Sequence, residues 1–185
     1  MHLPGLISFY VLFRGYFMEL FDAISSRSTA KSLTGPGPTA EQIARLLEAA
    51  GHAPDHGRLK PWRFVAVNGA ERETFANAVA QSRRDQNPGF TDEQMELERE
   101  KIRRSPSILV VGCVVRKDIP KVPEIEQVIA AGAAVENLLL AATELGIGAM
   151  WKTGPAAYSA RVKAALGLAV DDHIVAILHL GTAVK

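Results

Sequence analysis

Ala53-Pro54-Asp55-His56-Gly57-Arg58-Leu59-Lys60-Pro61-Trp62-Arg63-Phe64 is a proline-bounded polar loop that runs directly into an apolar segment. Pro54 disfavours a helical Ala53, so a preceding helix must stop here. Residues 64–67 read as a short strand closed by the turn pair Asn68-Gly69. Upstream, Thr39 and Gln42 have the spacing of a capping box. Ile43, Leu46, Leu47 and Ala50 then recur at i, i+3, i+4 and i+7, which predicts an amphipathic helix ending at Gly51. Thr34-Gly35-Pro36-Gly37-Pro38 is a loop, because its prolines and glycines defeat helix and strand alike. Residues 19–26 read as a short helix before it.

Beyond the loop, residues 71–82 predict a helix with Phe75, Ala78 and Val79 facing inward. Residues 91–104 predict a second helix whose large apolar residues are only Met95, Leu97 and Ile102, so a solvent-facing, mobile excursion is expected. The unbroken apolar run 107–115 reads as a central strand buried on both faces. Residues 124–146 read as one long helix, rich in Ala and Gly and apolar nearly all round, hence central to a core or to a subunit interface. A strand at 147–151, a helix at 159–166 with a Ser cap and a Gly167 stop, and a last strand at 174–180 complete the pattern. Helices and strands mix without strict alternation, so the expected class is α+β with a mixed central sheet.

Composition narrows the functions. The chain has 185 residues, 48% of them hydrophobic and 22% charged, which suits one globular domain. A formal net charge of +1 and the lack of a basic stripe argue against nucleic acid. The single cysteine, Cys113, excludes an internal disulfide and falls in an apolar run, where a buried and inert thiol is expected. A reducing cytoplasm fits. Residues 3–13 are apolar but too short to span a bilayer and lack the features of a secretory signal. The run also has no apolar partner pattern, so residues 1–17 are expected to be an extension outside the fold, with a membrane-peripheral anchor the competing reading, and residues 18–185 a single domain with no membrane partner.

Two apparent motifs carry little. Gly35-Pro36-Gly37-Pro38-Thr39-Ala40 matches a dinucleotide fingerprint, with Asp55 twenty residues on. That fingerprint aims backbone N–H groups at a pyrophosphate, and Pro36 and Pro38 have none. His52 and His56 have the spacing of helical metal ligands, but Pro54 lies between them. No metal site is expected. Arg27 and Ser28, at a helix-to-loop junction, suit a dianionic phosphate, with Lys31 as a second charge; a solvated surface pair is the competing reading. His52 and His56 can donate to hydroxyls or phosphate oxygens, or stand as unliganded loop histidines. Trp62 is expected to pack beside Phe64. Trp151-Lys152-Thr153 ends a strand before Gly154-Pro155 and should emerge at a surface or cleft, unless Trp151 is core filler.

In order and separation, Ser25–Lys31, the Ala-Pro-Asp-His block and Leu145–Gly154 together resemble the nitroreductase family of FMN-dependent oxidoreductases, in its small branch with that block. The resemblance runs from Met18 to Leu180-Gly181-Thr182 and implies a nitroreductase-like fold, a homodimer and FMN at the interface. It implies hydride transfer from NADH or NADPH through the flavin to a nitroaromatic, quinone or other small-molecule acceptor by a ping-pong route, with no catalytic side chain. By motif, Ser26, Arg27 and Ser28, His52 and His56, and Trp151, Lys152 and Thr153 correspond to flavin contacts. Ala141, Ala142, Thr143, Glu144, Leu145 and Gly146 match a stretch associated with the nicotinamide nucleotide. Ser26 and His52 replace arginines of the pattern, Lys152 replaces another, and the pattern continues past the position of Lys185. Those departures bear on FMN affinity. They also favour one rival, a flavin-binding protein without turnover such as a sensor or FMN-handling protein; a second rival keeps the fold for a flavin dehydrogenase of one metabolite.

Overall fold

A computed structural model describes residues 18–184. The expected extension, residues 1–17, lies outside the described residues. In chain order the elements are α1 (Leu20–Ser26), β1 (Leu33–Thr34), α2 (Ala40–Gly51), β2 (Trp62–Ala66), α3 (Gly69–Gln86), α4 (Asp92–Arg103), β3 (Ser107–Cys113), α5 (Glu124–Glu144), β4 (Gly148–Lys152), α6 (Ala160–Ala165) and β5 (His173–Ala183). Short 3-10 turns occupy His56–Arg58 and Pro155–Tyr158.

The capping box forms as its spacing predicts. Gln42 N donates to Thr39 Oγ1 at 3.2 Å, and Thr39 N donates to Gln42 Oε1 at 2.9 Å. Thr91 and Gln94 repeat the device at the start of α4. Ser159 caps α6 by accepting from Val162 N.

Every described strand pairing is antiparallel, so the sheet is not the mixed one expected. The α+β class stands. β1, β3 and β4 all run opposite to β5, and β2 runs opposite to β3, a choice of strand direction that apolar patterning does not encode. The path is β1-β5-β3-β2, with β4 also on β5. β3 takes one edge of β5 along 173–180, leaving β4 and then β1 on the other.

Alternation along β3 divides the core into two layers. Leu109 and Val111 face α2 and α5, where they meet Leu46, Leu138 and Leu178. Ile108 and Val110 face α3 and α6, where they meet Phe75, Val79 and Val162. Trp62 and Phe64 each pack against the first layer. Six of the seven β3 residues are buried, as expected of a central strand. Cys113 is fully buried, and burial, followed by Asp172 and Glu124, pushes its thiol up to about 11. α5 is long and apolar enough by length and composition to cross a membrane, but its buried residues pack on the sheet and α2.

α4 is not the loose excursion its composition suggested. Met95 and Ile102 are buried, and the helix docks on α3 through charged groups. Arg103 reaches Glu73 at 2.7 Å, and Arg99 reaches Asn77 at 2.7 Å. Polar contacts between two helix surfaces replace the apolar stripe that the sequence lacks.

Candidate functional site

Two of the three motif blocks meet at the edge of the sheet. Ala30 N donates to Ala149 O at 2.9 Å, which ties the strip after Arg27-Ser28 to β4. β4 in turn delivers Trp151 and Lys152, with Thr153 beyond its end, to the exposed rim expected of them. Trp151 is 41% exposed and donates from Nε1 to Val175 O at 3.1 Å, so it caps the sheet edge and does not fill the core.

Register decides where Lys152 points. Trp151 pairs with Leu178, on the α5 side, whereas Met150 and Lys152 pair with His179 and Ile177, on the α3–α4 side. There Lys152, Thr153 and Gly154 border a cavity of about 390 Å³, together with Lys101 of α4 and His179 of β5. An adjoining cavity of about 360 Å³ shares Lys101, Lys152 and His179 and adds Lys31. His179 was not anticipated. The available signal was an imidazole inside an otherwise apolar strand.

The other expected residues lie on the α5 side. Arg27 Nε stands 3.8 Å from Glu136 Oε1, a loose pair with both side chains partly exposed. Ser26 Oγ donates to Asp22 O at 2.5 Å, while Ser28 is exposed. His56 Nδ1 lies 2.6 Å from Glu126 Oε2. Glu126 and Glu136 are ten residues apart on α5, about 15 Å along the helix axis. His52, the C-cap of α2, lines a concavity of about 300 Å³ with Ala141, Glu144 and Leu145. That brings one expected flavin residue beside part of the expected nucleotide stretch. Ala142, within that stretch, is fully buried in the core and presents no side chain to a ligand. Thr143 Oγ1 donates to Leu139 O, and Glu144 pairs with Arg45 at 3.3 Å. Gly146 is exposed with φ +68°.

The Ala-Pro-Asp-His loop is held in an unusual shape. Arg58 and Lys60 have φ of 55° and 47°, and Gly57 has φ 75°. Non-glycine residues in this region are strained and concentrate at functional loops. Asp55 Oδ2 accepts from Lys60 N at 2.6 Å, but Oδ1 is buried with no partner among the described residues. A buried carboxylate oxygen without a donor suits a ligand hydroxyl or ring N–H.

The sequence profile of the nitroreductase family matches residues 24–182, nearly all of the described chain. The chain belongs to the nitroreductase family. That family is one of oxidoreductases. The Escherichia coli (strain K12) protein "Putative NAD(P)H nitroreductase YdjA" is 34% identical over 165 residues, covering 89% of this chain and 88% of that protein. The crystal structure of a nitroreductase-like protein from Bacillus cereus superposes with a TM-score of 0.78 at 25% identity, over 91% of this chain and 88% of that one. A Desulfovibrio desulfuricans structure in complex with FMN has the same fold, with a TM-score of 0.69 at 24% identity, over 91% and 88% of the two chains.

Tested against FMN, the nitroreductase residues of this chain fit in kind: a guanidinium and hydroxyls for a phosphate, imidazoles and an orphaned carboxylate oxygen for hydroxyls and ring N–H, and a basic rim on β4. One copy does not gather them. Arg27 and His56 lie against α5, whereas Lys152 and Thr153 open on the α4 side of the sheet.

Proposed function

We propose that this chain is an FMN-dependent oxidoreductase that takes hydride from NADH or NADPH and passes electrons to a small-molecule acceptor, a nitroaromatic or quinone, by a ping-pong route. The observation that carries the reading is the Ala30–Ala149 hydrogen bond, which ties the backbone strip after Arg27-Ser28 to β4, the strand that ends in Trp151-Lys152, within a nitroreductase-family chain. When bound, FMN supplies the hydride and electron transfer; the protein supplies binding and electrostatics. Arg27 and Ser28, with Ser26, hold the phosphate end, and His52 and His56 serve ribityl hydroxyls or phosphate oxygens. Lys152 and Thr153 hold the ring, with Trp151 bracing the edge. Ala141, Glu144, Leu145 and Gly146 border the nucleotide; Ala142 and Thr143 shape that stretch from behind.

The working unit is a homodimer in the cytoplasm, built on residues 18–185 as a single domain, with residues 1–17 outside it. Two observations support the dimer. The expected ligand groups are divided between two sides of one copy, as groups shared across a subunit interface would be. Phe21 and Ile24 on α1, with Ile125 and Ile129 on α5, are each at least half exposed, which leaves apolar surface on two packed helices.

Purified protein should be yellow, or take up added FMN, and lose the oxidised flavin absorbance when NADH or NADPH is added without oxygen. The colour should return with a nitroaromatic or quinone. A colourless protein that fails to bind FMN in a titration overturns the proposal.

A further inference from the structure

The two joined cavities between α4 and β4 carry far more positive charge than the chain as a whole. Lys31, Arg83, Lys101, Arg104 and Lys152 border them against one carboxylate, Glu98, in a protein whose formal net charge is +1. Glu98 does not cancel this. It is shared by two of the cations, standing 2.6 Å from Lys101 Nζ and 3.8 Å from Arg83 Nε, while Arg104 pairs with Glu100 at 3.5 Å outside the lining. Among the described residues, Lys31 and Lys152 have no carboxylate within salt-bridge distance.

A second observation is independent of the charges. His179 borders both cavities and is 5% exposed; among the described residues no side-chain hydrogen bond engages its ring, whose nitrogens are open to the cavity and not sealed from it. An imidazole with no protein partner and open to a cavity is free to bond water or a ligand there. Ile177, Ile102 and Val79 give the cavity an apolar floor beside these polar groups. An apolar cleft with a few convergent polar groups suits a small organic molecule better than a hydrated ion.

We propose that this cleft selects substrates bearing an anionic group, with Lys101 pairing with the anion and the His179 ring hydrogen-bonded to it, beside the Lys152 that holds the flavin ring. This rests on the oxidoreductase reading for the identity of the substrate, and not for the binding itself. The anion is either a carboxylate on the electron acceptor or a phosphate of the nicotinamide donor. An acceptor carboxylate held there lies beside Lys152 at the flavin-bordering end of β4, so for acceptors the cleft discriminates next to the reacting centre.

The test compares 4-nitrobenzoate with uncharged 4-nitrobenzamide, and NADPH with NADH, by equilibrium titration of the purified protein at low salt. Alongside it, the imidazole carbon resonance of His179 is followed by NMR. A preference of about tenfold or more is expected for the charged member of one pair, equivalent to one charge-assisted contact. Lys101→Gln should cut that preference five- to tenfold, and Lys101→Arg should restore most of it. The His179 resonance should move on saturation with the preferred ligand. Preference within the nitro pair assigns the anion to the acceptor, and within the nucleotide pair to the donor. Equal affinities in both pairs, a preference untouched by Lys101→Gln, or an unmoved His179 resonance overturns the proposal. A protein that binds no flavin but keeps the Lys101-dependent preference retains this inference and loses the redox reading.

Discussion

Glu126 Oε2 lies 2.6 Å from His56 Nδ1, joining the Ala-Pro-Asp-His loop to the first turn of α5 across 70 residues of chain. Both side chains are about half exposed, so water screens the contact. Its value is positional: it fixes where a strained loop meets the helix that runs beneath it. Glu126→Gln should lower stability by less than about 1 kcal/mol in urea unfolding. His56→Ala should weaken FMN binding roughly two- to tenfold, the worth of one net hydrogen bond. Fluorescence titration of the two variants checks this. Unchanged FMN affinity in His56→Ala removes His56 from the site.

Arg27 has a competitor for any phosphate. Glu136 stands 3.8 Å from its Nε, too far for a strong hydrogen bond but near enough to repel an incoming anion. Arg27→Ala should weaken FMN binding roughly ten- to hundredfold, the loss of about 1.5–3 kcal/mol in a charge-assisted contact. Riboflavin lacks the phosphate and should bind parent and variant about equally. Glu136→Gln should tighten FMN binding and leave riboflavin unaffected. If a folded Arg27→Ala protein binds FMN as tightly as the parent, Arg27 is a surface cation.

Local signals carried most of the fold. Thr39 and Gln42 announce α2 because a cap is made by residues three apart, and the Ser107–Cys113 strand is legible because burial on both faces demands an unbroken apolar run. Strand direction was hidden, since apolar periodicity is the same for parallel and antiparallel neighbours. The docking of α4 was hidden for another reason. Its contacts are made by Arg99 and Arg103, residues that resemble a solvated surface until Asn77 and Glu73 are brought opposite. The site divides the same way. Lys152 and Thr153 were legible from a strand end before Gly-Pro, but Lys101 and His179 meet them only through the fold.

Gly148 and Gly181 are register partners, and each sits where β1 crosses close to β5. A Cβ on Gly148 would fall 2.8 Å from Leu33 Cδ2 and 2.9 Å from Ala183 N. One on Gly181 would fall 2.8 Å from Pro106 Cγ and 2.9 Å from Thr34 O. Backbone atoms are among these neighbours, so a rotamer change cannot relieve the overlap. Gly148→Ala should cost about 1–3 kcal/mol in urea unfolding, the range for overpacking. Because β1 follows directly from Lys31 and Ser32, the same change should weaken FMN retention. Gly132→Ala, where nothing lies within 4 Å, is the control and should not destabilise the protein.

His179 gives the molecule a built-in sensitivity to acid. Burial first, then the positive charges of Lys152 and Arg72, lower its ring from 6.5 to about 4. In the unfolded chain the imidazole takes up a proton near its ordinary value of about 6.5. Between those limits the unfolded state therefore binds a proton that the folded state refuses. Stability from neutral His179 is fully present above about pH 6.5 and is lost as pH falls toward 4, below which the loss levels off. The whole step amounts to about 3 kcal/mol at most. Urea unfolding at pH 7, 5.5 and 4 should show a steep decline for the parent. His179→Gln should decline less over the same interval, by about 1–3 kcal/mol, whatever the substitution costs at pH 7. Carboxylates titrate in both proteins and cancel in the comparison. Parallel stability curves for parent and variant would show that water or a bound anion already compensates the His179 charge.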